Sequence, residues 1–141
     1  MNLFEAKVKR IIVDEKTGKD KKVTEKYLVN ALTCTEAEAV ITKEMKQIHT
    51  EDFNIPAIKQ SNINEIDSEN EGAIFYIAKI GIIGIDDDSG KEKKTITRIL
   101  TLSDTVDGAY NNINKLFTES VSDYVIEAVT DSKIQDYVVN N

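Results

Sequence analysis

The chain has 141 residues, 40% of them apolar and 30% charged, with a formal net charge of −7. That length suits one ordinary domain. A negative balance weighs against general nucleic-acid binding, which needs a basic surface. No apolar run approaches the ~18 residues that cross a membrane, and the opening MNLFEAKVKR lacks the apolar core of a secretion signal. Cys34 is the single cysteine, which excludes an internal disulfide and suits a reducing cytoplasm.

In chain order, Leu3–Val13 opens with Phe4, Ala6 and Val8 alternating against Glu5, Lys7 and Lys9, the pattern of a half-buried strand. Asp14–Gly18 reads as a hairpin turn with Gly18 at a positive φ, and Val23–Leu32 as the returning strand. Thr35 and Glu38 fit a capping box. The helix behind it runs to about Ile48, with Ala37, Ile41, Met45 and Ile48 on one face. Phe53–Gln60 is a third strand, where Pro56 calls for an edge or a bulge. Asp67–Gly72 is polar and reads as a linker. The order then recurs: a strand at Ala73–Ile85, a turn at Asp86–Gly90 and a strand at Thr95–Leu102. A helix from about Thr105 to Glu119 follows, with Val106, Ala109, Ile113, Leu116 and Phe117 inward, and then a strand at Tyr124–Thr130.

The recurrence is also written in the residues. Segments 52–66 and 123–137 align without a gap at an offset of 71, with Asp52/Asp123, Ile55/Ile126, Ala57/Ala128, Ser61/Ser132 and Ile63/Ile134 identical. Gly18 lies over Gly90, and Thr35–Ala39 over Thr105–Ala109. Two copies are too few for a solenoid, and a half of this size buries too little surface alone. The expected fold is α+β. An internally duplicated ββαβ unit gives one antiparallel sheet of about six strands, with two helices packed on one face. It forms a single domain of two pseudo-symmetric repeats, 1–70 and 71–141. The segment Ile77–Ile85 is apolar on both faces apart from Lys79. Its cover is either a homo-oligomer contact, with Gly81 and Gly84 permitting close approach, or a central position in the monomer.

Motifs for catalysis are nearly absent. His49, the one histidine, excludes a His-rich metal site and reads as a surface residue at a helix end. Cys34 reads as a small residue packed under the helix. Asp86–Gly90 fails the calcium-loop pattern, since Thr97 stands where the closing Glu belongs. No metal and no cofactor are expected. What stands out is charge segregation. Residues 16–26 and 89–98 each carry a net +3, so the rest of the chain carries −13. Lys19, Lys21 and Lys22 in one hairpin and Lys91, Lys93, Lys94 and Arg98 in the other are candidate ligands for an anion, with Lys19 and Lys21, and Lys91 and Lys93, converging on a strand face. Lysines here also guard strand edges against aggregation.

Phe4-Glu-Ala-Lys-Val-Lys9, Thr17-Gly-Lys-Asp-Lys-Lys-Val-Thr-Glu25, Tyr27-Leu-Val-Asn-Ala-Leu32, Thr35-Glu-Ala-Glu-Ala39 and Ser89-Gly-Lys-Glu-Lys-Lys94 resemble an uncharacterised domain family common in Bacteroidetes genomes and their phages. The resemblance covers nearly the whole chain. It implies a small bacterial or phage-encoded cytoplasmic protein and carries no activity or catalytic residues; Cys34 replaces an aromatic expected before the helix. The expected function is a non-catalytic binding protein, phage or mobile-element encoded. It sequesters a small anionic, nucleotide-type ligand as a homo-oligomer in an anti-defence role. The alternative is an acidic protein-interaction module that inhibits a host factor or serves as a minor assembly component. A third and weaker reading is an enzyme using only Asp, Glu, Lys and Tyr.

Overall fold

The computed structural model describes residues 2–48 and 52–139; His49 lies outside the described residues. It is α+β, with ten elements in the order β1 (Asn2–Val13), β2 (Asp20–Ala31), α1 (Cys34–Ile48), β3 (Phe53–Gln60), β4 (Glu65–Ile66), β5 (Ile74–Ile85), β6 (Glu92–Ser103), α2 (Val106–Leu116), β7 (Asp123–Asp131) and β8 (Ile134–Val139). The expected six-stranded antiparallel sheet does not form. There are two four-stranded mixed sheets, ordered β3-β1-β2-β8 and β4-β6-β5-β7. The chain divides into two compact units, Met1–Ser61 with Ile134–Asn141, and Asn62–Lys133.

The repeating element is therefore not a self-contained ββαβ unit. In each sheet the outer strand beside the hairpin is supplied by the other half of the sequence and runs parallel to its neighbour: β8 beside β2, and β4 beside β6. The segments 62–66 and 134–139 escaped the sequence reading because a strand of two or six residues has no measurable period. Their backbone satisfies an edge that would otherwise stand open.

Within the hairpins the two halves match closely. Both turns are closed by the same bonds, Asp14 N–H to Lys19 O (2.9 Å) with Gly18 N–H to Asp14 O (2.7 Å), and Asp86 N–H to Lys91 O with Gly90 N–H to Asp86 O (both 2.8 Å). Gly18 and Gly90 sit at φ 69° and 71°, where a side chain is disfavoured. Asp86 thus works as a turn residue, its carboxylate accepting from Asp88 N–H at 2.9 Å. β3 is an edge strand, and Ile55 and Pro56 together oppose Val8 in a bulge, as the proline requires. β7 carries the same bulge, with Ile126 and Glu127 opposite Ile80. β5 is an interior strand between β6 and β7.

Each helix covers one face of its own sheet. Ala37, Ile41 and Met45 of α1 pack with Phe4, Ala6, Val8, Tyr27 and Val29. Ile113 of α2 packs with Ala78, Ile80 and Ile99. The first helix is capped by Thr33, not Thr35: Thr33 Oγ1 accepts from Glu36 N–H at 3.1 Å, and Glu36 reaches back to Leu32 N–H. Thr105 does the same for α2 through Gly108 N–H, so Thr33 and Thr105 correspond at an offset of 72. Cys34 is exposed, not packed under the helix. Ile48, Val106 and Leu116, expected inward, are exposed at 51%, 43% and 42%, because the helix ends run beyond the packed stripe.

The two cores differ in one place. Asp67, expected in a linker, is buried in the second unit. Its Oδ2 accepts from Thr101 Oγ1 (2.9 Å) and Asn70 Nδ2 (2.7 Å), and Asn112 Nδ2 donates to Thr101 Oγ1 (3.0 Å) and Leu102 O (2.9 Å). At the matching places the first unit has Val138, Val29 and Val40, all within its apolar core. Asp67→Val alone takes the acceptor from the Thr101 hydroxyl and the Asn70 amide, leaving the buried Thr101–Asn112 pair incomplete, and should cost about 1–3 kcal/mol. Asp67→Val with Thr101→Val and Asn112→Val should recover most of that in urea unfolding; a triple variant no more stable than the single one would refute this account.

Candidate functional site

The turns place the predicted cations in different roles. Lys19 and Lys91 lie in the turns before their strands, where their carbonyls accept the closing bonds. Their N–H groups donate to Thr17 Oγ1 and Ser89 Oγ, both at 3.3 Å. Both precede their strands, so the expected convergence of Lys19 with Lys21, and of Lys91 with Lys93, is not made on a face of β2 or β6. Strand alternation puts Lys21 and Lys93 on the helix-side face of each sheet, and Lys22, Lys94 and Arg98 on the opposite, outer face. Lys19, Lys21 and Lys22 belong to the first unit, and Lys91, Lys93, Lys94 and Arg98 to the second.

The hairpin register adds cations that the sequence did not single out as a site. On the outer face of the first sheet Lys7 stands directly opposite Lys26, and Ile11 opposite Lys22, with Lys9 between them along β1. Like charges directly across a ladder repel. Lys59 pairs with Glu5 at 3.6 Å, whereas Lys7, Lys9 and Lys22 make no ion pair among the described residues. Lys9 and Lys22 also line an open cleft of about 280 Å³ with Arg10, Ile11, Asp52, Phe53 and Asn54. That is the small end of ligand pockets. The signal was available in the sequence: once Gly18 fixes the turn, the register follows, and Lys7 falls opposite Lys26.

One wall of the cleft is braced from the core side. Arg10 Nε and Nη2 hold the Glu25 carboxylate at 2.8 and 3.3 Å, and the Tyr27 hydroxyl donates to Glu25 at 3.2 Å. Such a two-point pair fixes a guanidinium plane. Burial, and then the charge of Glu25, push the Tyr27 phenol up to about 12. The second unit has Ile82, Thr97 and Ile99 at these places, so this brace belongs to the first unit alone.

The outer face of the second sheet has the same opposition of cations, Lys79 across from Arg98. There a carboxylate intervenes. Glu127, the extra residue of the β7 bulge, takes Lys94 Nζ at 2.6 Å and Lys79 Nζ at 3.7 Å. The Lys94 hydrogen bond holds its carboxyl below the usual carboxylate range, with Lys79 adding to the effect. The Lys94 stem crosses Gly81, where a Cβ would come within 2.9 Å of its Cδ. No group of three or more His, Cys, Asp or Glu side chains that could hold a metal occurs among the described residues. No helix among them is long and apolar enough to cross a membrane.

Residues 2–140 match the family described as Domain of unknown function (DUF4494), and the chain belongs to that family. No curated protein and no solved structure matches it.

The Tyr27 phenol binds its proton more tightly folded than unfolded, from an ordinary value of 10.0 to about 12. Its contribution to stability is whole below pH 10 and is lost as pH rises towards 12. Stability measured by denaturant unfolding across that window should fall more steeply in the wild type than in Tyr27→Phe. Parallel curves would remove the phenol from this role.

Proposed function

We propose that the chain is a non-catalytic binding protein that captures a small anion of nucleotide type on the basic face and cleft of its first unit. The observation that carries this reading is the run of Lys7, Lys9 and Lys22 without ion-pair partners among the described residues, beside Lys26 across the ladder. Repulsion within that run is offset when an anion sits on it. Phe53, packed against the apolar core, closes the cleft on its core side. Of the seven cations marked in the sequence, Lys22 is the one lining this cleft. A phage or mobile-element origin, a cytoplasmic anti-defence role and a homo-oligomeric state complete the proposal and rest on the family resemblance and on analogy. A second reading, an acidic module directed at a host protein, draws on the −13 carried outside the two basic segments.

Titration calorimetry with nucleoside mono- and diphosphates at low salt tests the first reading. Lys9→Glu with Lys22→Glu should weaken binding by at least about tenfold, which is about 1.4 kcal/mol, with an unchanged melting temperature. Equal affinity in the double variant, or no binding by the wild type, would reject it. Native mass spectrometry of the same sample reads the oligomeric state.

A further inference from the structure

The two outer faces differ at one bulge position. β3 and β7 are both bulged opposite the same place, beside Lys7 in the first sheet and Lys79 in the second. The extra residue is Pro56 in one and Glu127 in the other. The neighbours correspond as well: Lys7 to Lys79, Lys22 to Lys94 and Lys26 to Arg98. Each face therefore presents three cations at matched strand positions. At the bulge itself only the second has a carboxylate, at 2.6 Å from Lys94 and 3.7 Å from Lys79, whereas the outer-face carboxylate of the first sheet, Glu5, lies further along β1 and pairs with Lys59.

We propose that Glu127 occupies, in the second unit, the place that an external oxyanion takes in the first, so that the chain has one open anion site and one that its own carboxylate closes. This rests on the reading of the first unit given above and adds three things. The ligand group is a carboxylate- or phosphate-type oxyanion. Its position is over the outer face beside the bulge, spanned by Lys7 and Lys22. The stoichiometry is one per chain. Lys9 deepens the difference. It stands where the second unit has Gly81, the residue over which Lys94 bends to reach Glu127. In the first unit a fourth cation replaces that passage, and no side chain at position 56 can supply the counter-charge. A tethered carboxylate competes at a high effective concentration, so the second face takes no external anion while Glu127 is present.

The test uses pyrophosphate in titration calorimetry at low ionic strength on the full chain. In a Lys9→Glu, Lys22→Glu background, which disables the first site, Glu127→Ala should restore binding at one pyrophosphate per chain, at least about tenfold tighter than the background alone. No gain would overturn the proposal, because Lys79, Lys94 and Arg98 would then be unable to hold an oxyanion when freed. Pro56→Glu in the otherwise native chain should weaken binding to the first site by a similar factor, while Pro56→Gln, of the same shape without charge, should leave it in place. Equal losses in both would mean that position 56 acts through the fold and would overturn the correspondence. Should the native chain bind nothing while the Glu127→Ala variant binds, the reading of the first unit fails and the closed site of the second stands.

Discussion

Everything in this fold depends on closing the free edge of two hairpins. β2 and β6 each pair on one side with the strand that precedes them. The other side would expose a row of unpaired N–H and C=O groups, with the cost that buried or aggregating edges carry. The parallel strands β8 and β4 remove that exposure over the inner part of each edge. The helices then rest on completed four-stranded surfaces. The hairpin tips are left to project, with the lysines along them. The basic faces exist because the closing strands stop short: β8 ends its pairing at Lys26, and β4 covers Ile99 and Leu100.

The two units share a backbone plan and differ in where polarity enters it. In the first, Arg10, Glu25 and Tyr27 form a bonded trio at the hairpin end of the core, where the second has isoleucine, threonine and isoleucine. In the second, Asp67, Thr101 and Asn112 form a network at the other end, where the first has three valines. A buried polar group is tolerated only when its bonds are filled, and in each trio these bonds are made. The bulge at Pro56 and Glu127 follows the same logic on the outer face. Equal backbones with different side chains put a proline at the bulge of one face and, at the bulge of the other, a carboxylate held between Lys79 and Lys94.

Much of this could be read from residues alone. Alternation in Leu3–Val13 set the buried face of β1 correctly, since Phe4, Ala6 and Val8 are buried and Lys7 and Lys9 are not. Gly18 and Gly90 marked both turns, and Pro56 marked a bulge on an edge strand. The failures have physical causes. Thr33 and Thr35 both satisfy a capping pattern, and only the match of Thr33 to Thr105 separates them. Ile48, Val106 and Leu116 keep helical spacing but lie where no sheet is left to cover them. β4 and β8 carry too few residues for a period, and their partners are chosen by tertiary pairing. The candidate site was half visible. The basic hairpins were evident, but which lysines share a face follows from the strand register, which moved attention from Lys19, Lys21, Lys91 and Lys93 to Lys7, Lys9 and Lys22.

The exchange of closing strands also sets a timetable. A chain made from its N-terminus at ~5–20 residues per second completes β1, β2 and α1 long before β8 exists. The edge at Tyr27–Asn30 waits roughly 5–20 s for its proper neighbour, by that rate. During that interval the nearest look-alike is the chain's own Ile63–Ile66, which shares an isoleucine with Ile134 and arrives first. Laid on β2, it would bring Asp67 against Val29 and Val40, where its carboxylate keeps only its local donors, Glu69 N–H and Asn70, in an apolar core. On β6 the same aspartate gains the Thr101 hydroxyl, which Asn112 holds from the other side. What separates the two berths is one buried hydrogen bond, from the Thr101 hydroxyl to Asp67, which β6 supplies and Val29 of β2 cannot.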